Sequence, residues 1–191
     1  MRTSAWTLAI VLVSSTAAAD RQFSGRLDIL PFGEIRTKEA EMNALKVDID
    51  TGYGIGGAID FDIARNVSLG FAPRYLFKVK GEPHRASSKE LDLAARLKAH
   101  FPASPRATLF GYLSPGYSMV YVPNGSIFSG LDPSGLIVGI GGGADLMITP
   151  KAFITLELGY TWGFQSDSEA GFKYTYATNL MHLGLGLGSR F

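Results

Sequence analysis

The chain has 191 residues, with Lys+Arg 18 against Asp+Glu 17, Gly 23 and Cys 0. That length suits one domain. The missing cysteine excludes a disulfide scaffold, a thiolate zinc site, a thiol nucleophile and an acylated cysteine, and the near-zero charge argues against a nucleic-acid partner.

Met1-Arg2 opens on a positive charge, Ala5 to Val13 form an apolar run, and the small residues Ala17-Ala18-Ala19 precede Asp20. This is the pattern of a secretory signal peptide over residues 1–19, cleaved before Asp20. The apolar run is too short to cross a bilayer, which takes about 20 residues. Residues 20–191 show no linker and are read as a single domain. Apolar residues make up 46% of the chain, too many for a disordered one. The three histidines, His84, His100 and His182, leave little material for a metal centre, so neither metal nor cofactor is expected.

The dominant signal after Asp20 is alternation with period two, which predicts eight strands. The first runs from about Ser24 to Ile35, with Leu27, Ile29 and Ile35 on its apolar face. The second, Val47 to Ile63, carries Tyr53, Ile55, Ile59, Phe61 and Ile63. The third, Val67 to Lys80, sets Leu69, Phe71, Tyr75 and Phe77 against Ser68, Arg74 and Lys78. The fourth, Lys89 to Phe101, sets Leu91, Leu93 and Leu97 against Glu90, Asp92, Arg96, Lys98 and His100. As a helix that stretch would scatter its charges all round, so a strand fits better. The fifth, Ala107 to Tyr121, is ambiguous: Leu109, Leu113, Tyr117 and Met119 compete with Phe110, Tyr112 and Val120. The sixth is Leu136 to Ile148 and the seventh Ala152 to Phe164. The eighth, Tyr174 to Phe191, keeps Leu183, Leu185 and Leu187 in phase but loses parity between Tyr174 and Leu180, which suggests a bulge there.

Links alternate in length. Residues 64–66, 102–106 and 149–151 are short; Arg36 to Lys46, Gly81 to Ser88, Val122 to Gly135 and Gln165 to Lys173 are longer. Short turns at one end and long loops at the other suit a transmembrane β-barrel with both termini at the short-turn end. Prolines punctuate the strands, with Pro31, Pro73 and Pro115 as exceptions.

Alternation does not say which face points inward, and an exported soluble barrel with an apolar interior is the alternative. Glycine separates the two. Gly52, Gly54 and Gly56; Gly139, Gly141 and Gly143; and Gly184, Gly186 and Gly188 all fall on polar faces. A solvent face has no use for them, whereas an eight-stranded barrel is just wide enough for side chains to fill. Aromatic residues near strand ends, such as Phe61, Tyr75, Phe101, Tyr121, Phe164 and Tyr176, suit girdles at two membrane interfaces.

The leader, the eight alternating strands, the segments GLIVGIGGGADLMITP and AFITLELGYTWGF, and the final LGLGLGSRF together resemble the small bacterial outer-membrane β-barrels. That superfamily includes the OmpA membrane domain, OmpX and the opacity-type proteins. The resemblance covers residues 20–191. It implies an eight-stranded antiparallel transmembrane barrel with short periplasmic turns and longer extracellular loops, located in the outer membrane. It also implies that Leu183, Leu185, Leu187 and Phe191 form the signal read by the outer-membrane insertion machinery, from which Ser189 departs slightly. It carries no shared catalytic residues.

In such a barrel the polar faces line the lumen. Counting up from the short turns, Asp60, Lys98 and Asp145 lie about three residues deep, Arg96 and Glu157 about five and Arg74 about seven, at roughly 3.3 Å each. Charges in a narrow interior must be paired or hydrated. A mid-lumen network is therefore expected, in which Arg74, Arg96 and Lys98 meet Asp60, Asp145 and Glu157. Catalysis is not expected. There is no G-x-S-x-G elbow, GYGIGG at residues 52–57 lies in a strand with no helix after it, and spacing alone sets no serine beside His182. The basic residues Lys78, Lys80, His84, Arg85 and Lys89 cluster around the second long loop; a solvated loop is the default reading, and a rim that binds anionic lipopolysaccharide is the alternative. The function expected is a structural or surface-interacting monomer with a plugged lumen, its partners being membrane lipid and the insertion machinery. The alternative is a narrow pore or carrier for small or apolar solutes. A membrane lipid-modifying enzyme ranks last.

Overall fold

Period-two patterning commits each segment to an extended chain with two unlike faces, and a sheet of such segments loses its unpaired edges only by closing on itself. The computed structural model, which describes residues 21–39, 45–82, 87–121, 132–169 and 172–191, shows this closure. Eight strands follow in order: β1 (Arg21–Glu39), β2 (Leu45–Ala64), β3 (Val67–Glu82), β4 (Ser87–Ser104), β5 (Ala107–Tyr121), β6 (Ser134–Met147), β7 (Ala152–Glu169) and β8 (Phe172–Arg190). Each pairs antiparallel with the next, and β8 pairs with β1 to complete a closed barrel. At the short-turn end the amide of Phe191 donates to the carbonyl of Arg21 at 2.9 Å. The predicted leader, residues 1–19, lies outside the described residues.

The apolar faces point outward. Leu136 is 66% exposed and Leu187 64%, while Asp28 and Asp145 inside are 1% and 0% exposed. An exterior of this kind is stable only against hydrocarbon, and closure leaves no strand edge unpaired there. The soluble alternative with an apolar interior is thereby overturned. No helix among the described residues is long and apolar enough to cross a membrane; this chain crosses with strands. Protein extracted without boiling should run as a compact band that shifts on heating, and a single band in both lanes would contradict a closed barrel.

Several local expectations change. In β5 the odd residues Leu109, Leu113 and Tyr117 face out, while Phe110 and Val120 are buried inside. Both candidate faces carry aromatic and apolar groups, which is why alternation alone could not separate them. Tyr176, placed with the interfacial aromatics, instead lies buried in the lumen. β8 keeps one parity throughout, with Tyr176, Thr178, Leu180 and His182 all buried, so it holds no bulge of its own. The irregularity lies across the seam in β1, where the four residues Ile29 to Phe32 oppose the three from Leu183 to Met181. Pro31 sits in that step and has no N–H for the ladder. The step puts Ile35 out of register phase with Leu27 and Ile29, with which it had been grouped. Pro73 and Pro115 each sit in a ladder gap on one side, β2–β3 and β4–β5 respectively.

The strands run from 14 to 20 residues, beyond the roughly 9–11 that cross a hydrocarbon core. Part of what had been read as long loops is ladder continuing past the apolar zone, in the first, second and fourth of them above all. Strand reaches Glu82 and resumes at Ser87, and reaches Glu169 and resumes at Phe172. Above the membrane both faces meet water, so alternation fades although pairing persists.

Candidate functional site in the barrel lumen

The lumen is the chemically distinctive part of the molecule, and each strand contributes to it through residues two apart. At its short-turn end, Ser68 on β3 donates to Asp62 on β2 at 2.7 Å and is also hydrogen-bonded to His100 on β4. Next above, the ammonium of Lys98 lies 3.1 Å from Asp145 on β6, 3.9 Å from Asp60 and 4.1 Å from the centre of the Phe110 ring. Arg96, one inward position higher on β4, holds Asp60 with two guanidinium nitrogens and reaches Glu157 at 3.3 Å.

Glu157 on β7 is the hub. Besides Arg96 it accepts from Arg26 on β1 at 2.6 Å and from the Tyr112 hydroxyl at 2.9 Å, and its Oε1 lies 3.5 Å from His182 Nε2. Arg26 also grips Asp28, two residues along the same face, at 2.9 Å. His182 joins this group to the next. Arginine has only donors, so the 2.9 Å contact between Arg74 Nη1 and His182 Nδ1 makes Nδ1 the acceptor. The proton then sits on Nε2, which faces Glu157 and the Tyr112 oxygen, the latter at 3.3 Å.

Arg74 departs from the expected arrangement. It meets none of Asp60, Asp145 or Glu157, and instead binds Asp92 through two nitrogens at 2.9 and 2.5 Å. The reason is register: Arg74 and Asp92 are direct partners across the β3–β4 ladder, so the nearest acid is a neighbour rather than one across the lumen. Arg96 does meet Asp60 and Glu157, and Lys98 meets Asp145 and Asp60. Sequence reasoning left Arg26, Asp28, Asp92, Tyr112 and His182 outside the network. The missed signal was in the glycines. A Cβ at Gly56 would lie 2.8 Å from Asp28 and 3.0 Å from Arg26, and one at Gly141 would overlap the Tyr112 ring. Rows of glycine mark where a large side chain from another strand lies flat.

The middle of the network is tightly occupied. The space left among Arg26, Arg74, Arg96, Glu157 and His182 is about 30 Å³, room for one or two waters. Towards the loop end the polar network gives way to a dry cluster of Leu30, Leu76, Val79 and Leu180. Removing one partner of a buried pair strands the other charge, at a cost of about 3–5 kcal/mol. Arg96→Ala would leave Asp60 facing only Lys98 at 3.9 Å. Its thermal unfolding in detergent should fall clearly below that of the wild type; an unchanged midpoint would show that these pairs do not hold the barrel.

No nucleophile–base–acid chain is assembled among the described residues. His182 is bonded to Arg74, Tyr112 and Glu157, with no serine in reach, while Ser118 is bonded to Glu90 and Gln165. Ser68 does touch His100, but its acid, Asp62, bonds the serine and not the far imidazole nitrogen. A triad requires that acid behind the histidine. On the outer face, Leu183, Leu185 and Leu187 point to lipid and Phe191 is 72% exposed.

Solved structures share this architecture. OprG from Pseudomonas aeruginosa matches with a TM-score of 0.61 at 16% identity, over 91% of this chain and 96% of its own. The outer membrane protein AlkL in lipid bilayers matches with a TM-score of 0.59 at 11% identity, over 91% and 90%. Neisserial surface protein A matches with a TM-score of 0.55 at 14% identity, over 88% and 97%. At such identities the likeness is one of fold. No curated protein sequence matches the chain. The family model for the outer membrane protein beta-barrel domain matches residues 5–191, and the chain, a protein of the bacterial outer membrane, belongs to that family.

Proposed function

We propose that this barrel is a non-enzymatic structural or surface-interacting protein of the outer membrane whose lumen is closed by its own ion pairs. The observation that carries this reading is the small space left around Glu157. Four cationic side chains cross a lumen in which the space around Glu157 is about 30 Å³, and eight strands leave little more than side-chain room. Its work then falls to the outer surface and the loop end. Purified barrel in planar bilayers should give no sustained single-channel conductance; steady steps from wild-type protein would refute the plug.

A second reading, a carrier for small apolar solutes, draws on the cluster of Leu30, Leu76, Val79 and Leu180 towards the loop end. Apolar groups inside a barrel offer a seat to an apolar solute once they part. Retention of a radiolabelled alkane by purified protein, lost in Leu180→Asp, would favour it. The proposed partners are membrane lipid, lipopolysaccharide at the loop rim and, during assembly, the insertion machinery, which would read Leu183, Leu185, Leu187 and Phe191. Of the rim residues, Lys89 is exposed; the side chains of Lys78, Lys80, His84 and Arg85 lie outside the described residues. The barrel is proposed to act as a monomer.

A further inference from the structure

The short-turn end of the barrel is basic. Its three turns carry Arg65, Arg106 and Lys151, and the β1–β8 seam adds Arg21 and Arg190. Among the described residues, the one acidic side chain bordering these turns is Asp62, and it is bonded to Ser68. Arg21 and Lys151 are exposed and form no ion pair among the described residues. Arg21 shares the outward face of β1 with Phe23 and Leu27, which are 53% and 63% exposed. Its guanidinium lies over the ring of Phe61, its partner on β2, 6.0 Å from the centroid. A cation held against an outward aromatic ring sits at the membrane surface rather than in the lumen.

Above these two cations the lipid-facing wall is indented. Gly25 faces outward, and a Cβ there would meet nothing within 4 Å. It pairs with Leu187 on one side and with Gly57, another residue without a side chain, on the other. An open groove of about 540 Å³ lies here, walled by Leu27, Ile154, Leu185 and Leu187, with Gly25, Arg26 and Gly186 completing its lining. Its volume is that of a small-molecule site, roughly 300–1,000 Å³. Register fixes its height. Ile154, Leu187 and Gly25 form one row across β7, β8 and β1. Arg21 lies four residues below Gly25 and Lys151 three below Ile154, about 10 to 13 Å along the strands. The groove is apolar and suits an alkyl chain, and the cations suit an anion. A phosphate ester bearing acyl chains supplies both at that separation. A second barrel docked on the same face by two-fold symmetry would instead bring its own Arg21 and Lys151 against these, like charge on like charge.

We propose that the β1–β8 seam binds one anionic phospholipid of the periplasmic leaflet, its phosphate between Arg21 and Lys151 and an acyl chain in the groove beside Gly25. The proposal rests on membrane lipid being a partner of the barrel, and gives that partner a headgroup and a place. The barrel is refolded in detergent and incubated with equal amounts of phosphatidylglycerol and phosphatidylcholine of the same chain length. Native mass spectrometry then counts the lipid retained. Wild type should keep one phosphatidylglycerol, favoured roughly tenfold, the effect of two basic residues at an anionic surface. Arg21→Gln with Lys151→Gln should bind the two lipids alike. Arg65→Gln with Arg106→Gln removes the same charge from the same end, away from the groove, and should keep the preference. Gly25→Val should lose the lipid while its unboiled compact band shows that it has folded; the same band checks both double variants. Equal loss of preference in the two double variants would assign the effect to diffuse charge and overturn the site. So would displacement of the lipid by glycerol phosphate, which has the anion without the chains, or a lipid-free species of twice the mass, which would give the groove to a second copy. Equal retention of both lipids by wild type would overturn this site alone, whereas retention of neither would also remove membrane lipid as a specific partner.

Discussion

Glu157→Ala is expected to destabilise the barrel by about 3–5 kcal/mol, the cost of stranding buried charge. Among the described residues, no other lumen side chain joins so many strands. Its carboxylate takes Arg26 from β1, Arg96 from β4, Tyr112 from β5 and faces His182 on β8. Truncation leaves Arg26 with Asp28 alone and Arg96 with Asp60 alone, and takes from the Tyr112 hydroxyl the carboxylate that accepts its proton. Urea unfolding in lipid vesicles, followed by the fluorescence of Trp162, measures the loss. The double variant Arg26→Ala with Glu157→Ala should recover part of it, because the two residues are in direct contact and their effects should not add. A single variant within about 0.5 kcal/mol of wild type, the range of unremarkable surface changes, would mean that the carboxylate is not the hub.

Gly143→Val should act as strongly by a different route. A Cβ there would land on the carbonyl of Leu156 and 2.8 Å from the Phe110 ring. The carbonyl belongs to the β6–β7 ladder and cannot rotate away, and Phe110 supports Lys98 at 4.1 Å. Overpacking of a filled interior costs about 1–3 kcal/mol where side chains can yield, and this site offers a backbone atom, so the upper end is expected. Gly25→Val is the matched control. A Cβ at Gly25 meets nothing within 4 Å, on the lipid-facing side of β1. The unboiled compact band should be depleted in Gly143→Val and intact in Gly25→Val; equal yields from both would show that the interior has slack.

Much of this could be read from the residues because the barrel uses one simple code. Leu91, Leu93 and Leu97 set against Glu90, Asp92 and Arg96 admit only a strand with two unlike faces, and the inward glycines settle which face is which. The code fails where chemistry on both faces is alike. Phe110 and Tyr112 inside match Leu109 and Leu113 outside, so β5 could be placed but not oriented. It also fails where water covers both faces, since the ladder beyond the membrane needs no apolar residue to mark it. The bulge expected in β8 came from the mixed chemistry of its inward face, where Tyr176, Thr178 and Leu180 share one parity, while the real step at Pro31 in β1 shows only in pairing across the seam, far apart in sequence. The network was half legible for the same reason. Depth along a strand can be counted, and depth brought Arg96 towards Asp60 and Glu157. Angular position around the barrel depends on register, which decided that Arg74 would meet Asp92.

The β1–β8 seam has a consequence for how the molecule comes into being. It pairs Arg26 with Gly186 and Gln22 with Arg190, residues from opposite ends of the sheet in sequence. No smaller set of these strands has both margins covered, and an open margin in hydrocarbon leaves a row of amides and carbonyls at several kcal/mol each. The hub repeats that dependence inside, since Glu157 cannot find Arg26 until β8 lies between β7 and β1. Synthesis order therefore gives no stable resting point. The chain must cross the periplasm wholly unassembled, and its passage into the membrane has to be a single cooperative event, slow because its decisive contacts are the most distant ones.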